Sequence, residues 1–265
     1  MTWLEWLGGS ARPVGIALLV AARVAPLAFL APWLALRGTP PALRLALVLS
    51  LTVAMTPIAL ATAPPLPGDV LALAVALTRE ATLGAVFAVA TAVPLHALEH
   101  AGRLIDALRG ASPGDVTLPS GDRTSPMGAL HGMLGATLFL VLGGHRLVID
   151  ALGSSLIAVP AGAAIAHADL ASIALGAARI VVAALTLAVS FAAPALVSLV
   201  VVEVAMGLVG RASPAIPMHF AGMPLRAAIG VAAVLLGMAV LVPHLGPIFE
   251  SAIDAASALL GSARP

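Results

Sequence analysis

Residues 180–202 read IVVAALTLAVSFAAPALVSLVVV, an unbroken run without Asp, Glu, Lys or Arg. As an α-helix rising ~1.5 Å per residue it is about as long as a hydrocarbon core of roughly 30 Å is thick. Three other windows are equally free of charge: Leu45–Gly68, Thr124–His145 and Ala227–Phe249. Two further apolar stretches are interrupted, Val14–Leu36 by Arg23 and Val70–Leu98 by Arg79-Glu80. The chain therefore reads as all-α, an integral membrane protein with about six long hydrophobic helices arranged as hairpins.

Composition agrees. Of 265 residues 61% are hydrophobic and 9% charged, with a mean hydropathy of +1.10. A soluble domain carries about a quarter charged residues, so this chain cannot cover a water-facing surface. Its 13 basic residues are all arginine, the net charge is +1, and the charges are scattered, which excludes a nucleic-acid footprint. Cysteine is absent, and with it disulfides, thiolate metal sites and thiol nucleophiles. The opening MTWLEWLGGSARP places Glu5 before its first arginine, the wrong order for a signal peptide, and is read as retained.

Arginine placement gives an orientation. Arg37, Arg44, Arg103, Arg109, Arg123, Arg211 and Arg226 fall in the odd-numbered connections, against Arg12 and Arg264 on the other side. The positive-inside rule then puts the odd connections in the cytoplasm and both termini outside. Trp3 and Trp6 stand roughly 40–45 Å from Trp33 along a helix, comparable to a bilayer with its headgroups. Gly128, Gly132 and Ala136, spaced four apart, are expected to let helices approach closely.

Five charged positions lie in or beside apolar segments: Arg79, Glu80, Arg146, Asp150 and Glu203, with Arg23 a sixth. Each needs a partner or water, because a charge at a helix centre costs about 2.5–3.5 kcal/mol on insertion scales. Arg146 and Asp150 have the spacing to pair on one helix face. Glu80 and Glu203 lack a local cation, so their partners are expected on other helices or only in a complex. Structural ion pairs are the favoured reading, and a proton or ion relay is the alternative. His96-Ala97-Leu98-Glu99-His100 spells H-x-x-E-H, a zinc-peptidase spacing, but no third ligand or accessory helix accompanies it. The pentapeptide is read as the polar end of an apolar segment. No catalytic residue, metal ligand or cofactor is expected.

The order of several motifs resembles the FliR/SctT export-apparatus family of type III secretion (YscT/SpaR/HrcT-like). ARVAPLAFLAPWLALRGTPPALRLALVLSLTVAMTP (22–57) resembles the family's opening, and LTREATLGAVFAV (77–89) its third-helix motif with Glu80 and Gly84. AGRLIDALRGAS (101–112) and TSPMGALHGMLGATLFLVLGGHRLVIDALGSSLIAVP (124–160) resemble its central signature, through Gly102, Asp106, Gly110, Ser125-Pro126, Phe139, Gly143-Gly144, Ser155 and Pro160. FAAPALVSLVVVEVAMGLVGRASPAIPMHFAGMPLR (191–226) resembles its last hairpin. Two loops depart from the family pattern, SPAIPMHF (213–220) and PSGDRTSP (119–126).

The resemblance implies a single membrane domain over 1–265. It would comprise N-terminal helices (1–98), a polar lead-in and plug loop (99–126), central helices (127–178), a FliQ-like C-terminal hairpin (179–249) and a tail (250–265). It implies a non-enzymatic component of the type III export gate, the entry portal for unfolded proteins across the bacterial inner membrane. One copy would join FliP/SctR-like and FliQ/SctS-like subunits and face an FlhB/SctU-like switch protein. The plug loop would contain Gly110, Pro113, Asp115, Pro119, Asp122, Arg123 and Pro126. The cytoplasmic hairpin loop would contain Arg211, Pro214, Pro217, Pro224 and Arg226. IDALRGAS (105–112) and LGGHR (142–146) lean toward the injectisome branch, although a histidine after the glycines is common in flagellar members. A small-solute transporter is the rival, but the two halves show no internal repeat.

Overall fold

The computed structural model describes residues 11–31, 40–110, 116–117, 123–163, 167–213 and 218–261. In chain order the described residues form α1 (Ala11–Leu30), α2 (Pro41–Thr62) and α3 (Val70–Arg109). They continue with β1 (Val116–Thr117), β2 (Arg123–Thr124), α4 (Pro126–Val141), α5 (Gly144–Ala158), α6 (His167–Ala212) and α7 (Met218–Gly261). Trp3, Trp6 and Trp33 lie outside the described residues. Five helices (α1, α2, α3, α6 and α7) contain segments long and apolar enough to cross a membrane. Counting α4 and α5, bent by 69° at Leu142-Gly143, as one broken span gives six. The protein is an all-α integral membrane protein. Its one extended feature among the described residues is an antiparallel ladder, Val116 opposite Thr124 and Thr117 opposite Arg123.

Two helices outrun their expected ends. α3 has 40 residues and continues through 99–109, the segment expected as a polar lead-in, while α7 carries on through Glu250 to Gly261. The reason lies in the spacing of the polar residues. Glu99, Arg103 and Asp106 recur at i, i+4 and i+7, which is one face of a helix rather than the start of a loop.

The chain forms two compact units. The first takes Met1–Val93, Gly143–Val181 and Phe249–Pro265, and the second Pro94–Leu142 and Val182–Ile248. In the first, α1 buries Ile16, Leu19, Val20, Val24, Leu27 and Ala28, the stripe of an amphipathic helix. α3 comes so near that a Cβ at Gly84 would collide with the backbone carbonyl of Arg23. That approach brings together the one fully buried ion pair of this unit among the described residues. Arg23 Nε donates to Glu80 Oε2 at 2.7 Å and Nη2 lies 2.6 Å from the same oxygen. The guanidinium also donates from Nη1 to the Ser155 carbonyl at 3.1 Å and from Nη2 to the Val159 carbonyl at 2.9 Å. The remaining oxygen of Glu80 accepts from Gly162 N–H at 2.9 Å. One salt bridge thus ties α1 to α3 and closes the C-terminal end of α5, where a cation is favoured by unpaired carbonyls.

Elsewhere the apolar helices satisfy their hydroxyls internally. Thr52, Thr56, Thr78, Thr82, Thr186, Ser190 and Ser198 each donate to the carbonyl four residues back. In the second unit, Ala101 and Ile105 of α3 pack with Ala192, Ala195 and Leu199 of α6 and Ala233 and Val234 of α7. Small side chains let these helix backbones approach closely. α4 buries Gly128, His131, Gly135 and Phe139, so its close-packed stripe shares only Gly128 with the expected Gly128–Gly132–Ala136. A 3.6-residue turn drifts off a strict spacing of four.

Breaking the buried pair from one side leaves an uncompensated charge, which costs about 3–5 kcal/mol, whereas replacing both partners by apolar groups is often near neutral. Arg23→Met or Glu80→Leu alone should therefore lower the unfolding midpoint of the full chain in detergent, and the double variant should recover most of that loss. Additive losses in the double variant would contradict the pairing.

Candidate functional site

The polar residues of the second unit collect at the foot of the 110–126 loop. α3 supplies Glu99, Arg103, Asp106 and Arg109 from its last three turns, and the chain returns through β2 into α4. The start of α4 is fully accounted for. Pro126, its first residue, has no N–H to satisfy. Met127 N–H donates to Asp106 Oδ2 at 2.7 Å. Gly128 N–H donates to the Ser125 hydroxyl at 3.2 Å, and Ala129 N–H to the Ser125 carbonyl at 2.8 Å. Ser125 is thus the N-cap, and Asp106 adds a carboxylate where the helix dipole favours one. Arg109 Nη1 balances it, donating to Asp106 Oδ1 at 3.1 Å.

Two turns back, Glu99 Oε1 accepts from Arg103 Nη2 at 2.8 Å and from the Thr124 hydroxyl at 3.2 Å. Arg103 Nε donates to that hydroxyl at 3.2 Å. The two segments meet at Gly102, where a Cβ would collide with the Met127 carbonyl. Below this, Arg109 lies across Gly230 of α7, where a Cβ would come within 2.6 Å of Arg109 Cδ. α3 ends at Gly110 with φ +64°, a left-handed closure that suits glycine. Beside it stands Arg226 of α7, which donates from Nη2 to Glu203 Oε1 of α6 at 3.0 Å.

The structure places the sequence-derived residues as follows. Gly110 and Pro126 bound the loop and Arg123 lies in β2, while Pro113, Asp115, Pro119 and Asp122 lie outside the described residues. Of the two sources expected for the partners of Glu80 and Glu203, the structure shows other helices of the same chain, Arg23 and Arg226, and corrects the expectation that they come only in a complex. Glu203 is not buried, its side chain being 58% exposed, and Arg146 and Asp150 are both exposed with no ion pair between them. Arg79 is mostly buried, and its Nη2 stays 3.7 Å from Glu80 Oε1.

Arg211 is exposed in the last turn of α6. Pro224 and Arg226, expected in the hairpin loop, lie inside α7, because a proline near a helix start removes one backbone bond without ending the helix. Pro214 and Pro217 lie outside the described residues. Within H-x-x-E-H, Glu99 is held by Arg103 and Thr124, and no group of three His, Asp or Glu among the described residues could hold a metal ion. Thr124 enters this network without having been singled out, and Ser155 and Arg109 figure in the sequence only as a motif position and as an orienting charge. For Arg109 a signal was present, since Asp106 and Arg109 are spaced to pair on a helix.

Hydrogen bonds to a charged group contribute about 1.5–3 kcal/mol. Asp106→Ala should accordingly loosen the start of α4, and tryptic cleavage after Arg123 of the folded chain should accelerate about tenfold. An unchanged cleavage rate would show that Asp106 does not hold the returning chain.

Comparison with known proteins gives the context of this site. A sequence model described as bacterial export proteins, family 1, matches residues 14–252. The flagellar biosynthetic protein FliR of Caulobacter vibrioides is 29% identical over 86% of this chain and 90% of its own length. The secretion system apparatus protein SsaT of Salmonella typhimurium is 27% identical over 63% of this chain and 64% of its own. The Yop proteins translocation protein T of Yersinia pestis is 26% identical over 82% of this chain and 83% of its own. With a match running from α1 into α7, the chain belongs to the bacterial export proteins, family 1, the FliR/SctT family, as a multi-pass membrane component of type III protein export.

Proposed function

We propose that the chain is a non-enzymatic, single-copy subunit of a type III export gate in the bacterial inner membrane. There it passes unfolded proteins in company with FliP/SctR-like and FliQ/SctS-like subunits and an FlhB/SctU-like switch protein. The observation that carries this reading is the family match along almost the whole chain, with relatives in both flagellar and injectisome systems. The distribution of burial supports it. The most apolar window of α3 is 67% buried within the chain, but those of α2, α6 and α7 are only 22% buried. Those three helices therefore turn most of their apolar surface outward, toward lipid or neighbouring subunits.

The loop from Gly110 to Pro126 is the proposed plug. Both of its feet are pinned, at Gly110 beside Arg226 and at Thr124–Met127 by Glu99 and Asp106. Asp115, Asp122 and Arg123 make the loop unfit for lipid, so it must line a water-filled path or pack in protein. The injectisome type is proposed on IDALRGAS (105–112) and LGGHR (142–146). The flagellar reading is favoured by His145 and by the better-covered Caulobacter relative. Loss of motility or loss of effector secretion on deleting the gene distinguishes them.

Co-expressed with FliP-like and FliQ-like proteins from its own bacterium, the chain should enter a large complex in one copy. Replacing residues 112–121 by a short Gly-Ser linker should leave that complex assembled but leaking ions in proteoliposomes. A monodisperse monomer that transports solutes would overturn the gate. A shortened complex that stays ion-tight and exports normally would overturn the plug.

A further inference from the structure

Most charges in or beside the apolar windows are matched within the chain: Arg23 with Glu80, Arg103 with Glu99, Arg109 with Asp106, and Arg226 with Glu203. Among the described residues Arg44 and Arg79 are the partly buried exceptions, and of the two Arg79 lies deeper inside its apolar helix. Its neighbour Glu80 is already used, with Oε2 taken by Arg23 and Oε1 by Gly162 N–H, which leaves Arg79 a distant share at 3.7 Å. Arg79 Nε and Nη2 are buried without any hydrogen-bond acceptor, so an outside partner meets the guanidinium only through the 18% of the side chain that stays exposed. Two arginines on one glutamate leave one positive charge uncompensated within an apolar helix, a situation that calls for an anionic partner.

The surface beside Arg79 shows where that partner comes from. Val70, Leu71 and Val75 are 85%, 76% and 60% exposed, and Thr78 and Thr82 continue the same outward face. Both threonine hydroxyls are already spent on their own helix, so the face is apolar. Arg79 stands at its edge with its side chain 18% exposed. It lies nine residues into α3, about 14 Å from the helix start. Apolar residues continue on both sides, away from the depth at which a lipid phosphate sits.

We propose that the outward face of α3 around Val75, Thr78 and Thr82 is an intersubunit seat for a helix that carries an Asp or Glu, and that this carboxylate pairs with Arg79. Small hydroxyl and alanine side chains on the face allow close approach of such a helix, and the carboxylate brings the local charge to zero. The inference rests on the multi-subunit reading above only in requiring a neighbour.

The test uses the full chain in its native membrane, with a photo-cross-linking amino acid at Thr78 or Thr82 and with the variants Arg79→Gln, Arg79→Lys and Arg79→Glu. Cross-links should reach one subunit, at a peptide containing an Asp or Glu. Arg79→Gln should not lower the unfolding midpoint of the isolated chain, since it removes an uncompensated charge that makes no hydrogen bond there, yet it should reduce the yield of assembled complex about tenfold. Arg79→Lys should restore part of it. Arg79→Glu should regain assembly only when the acid in the cross-linked peptide is changed to Arg.

Cross-links to phospholipid alone would overturn the proposal, as would a wild-type complex that forms equally well with Arg79→Gln. A lower midpoint of the isolated Arg79→Gln chain would overturn it too, by showing a role inside the chain. Absence of any wild-type complex would instead refute the gate reading itself.

Discussion

Arg23 and Glu80 face each other where neither has access to water, and the first unit of the protein is built around that constraint. An arginine in an apolar helix is tolerable only if its donors are matched. Here Nε, Nη1 and Nη2 all find acceptors, on Glu80, Ser155 and Val159, and both oxygens of Glu80 are used in turn. The geometry demands a close approach of α1 and α3, which glycine at position 84 permits. It also fixes the end of α5, because Arg23 reaches the carbonyl of the C-cap Val159 and shares that of Ser155 with Val159 N–H.

The second unit applies the same economy to a different end. Glu99 and Asp106 are buried carboxylates, and each fastens the returning chain to the last turns of α3. A segment that must stay in place while its middle remains polar needs such anchoring. The hairpin of α6 and α7 approaches the same foot through Arg226 beside Gly110 and through Gly230 beneath Arg109. The loop proposed as the plug and the C-terminal hairpin therefore share one cluster of charges.

Much of this was legible in the sequence. Charge-free windows located the apolar helices, because in lipid a backbone must satisfy its own hydrogen bonds and a long apolar run has few other options. The end of α3 was missed, since a run with Glu99, Arg103 and Asp106 looks polar when read linearly and shows its single helical face only when the residues are set three and four apart. The partners of Glu80 and Glu203 were invisible for another reason: Arg23 and Arg226 lie 57 and 23 residues away in the chain. Spacing rules reach one or two helical turns, whereas these pairs depend on which helices adjoin. Arg226 was further hidden by Pro224, two positions before it, which suggested a loop where the helix has already begun.

Arg23 neutralises Glu80 from within the chain, and Arg79 is proposed to find its acid on a neighbour. A high-resolution structure of the assembled complex in a lipid bilayer shows both contacts at once. Arg23 and Glu80 should still lie within about 3 Å of each other, with Arg79 turned to a carboxylate of an adjoining subunit. Glu80 paired instead with a residue of another chain, and Arg23 withdrawn from it, would refute this arrangement.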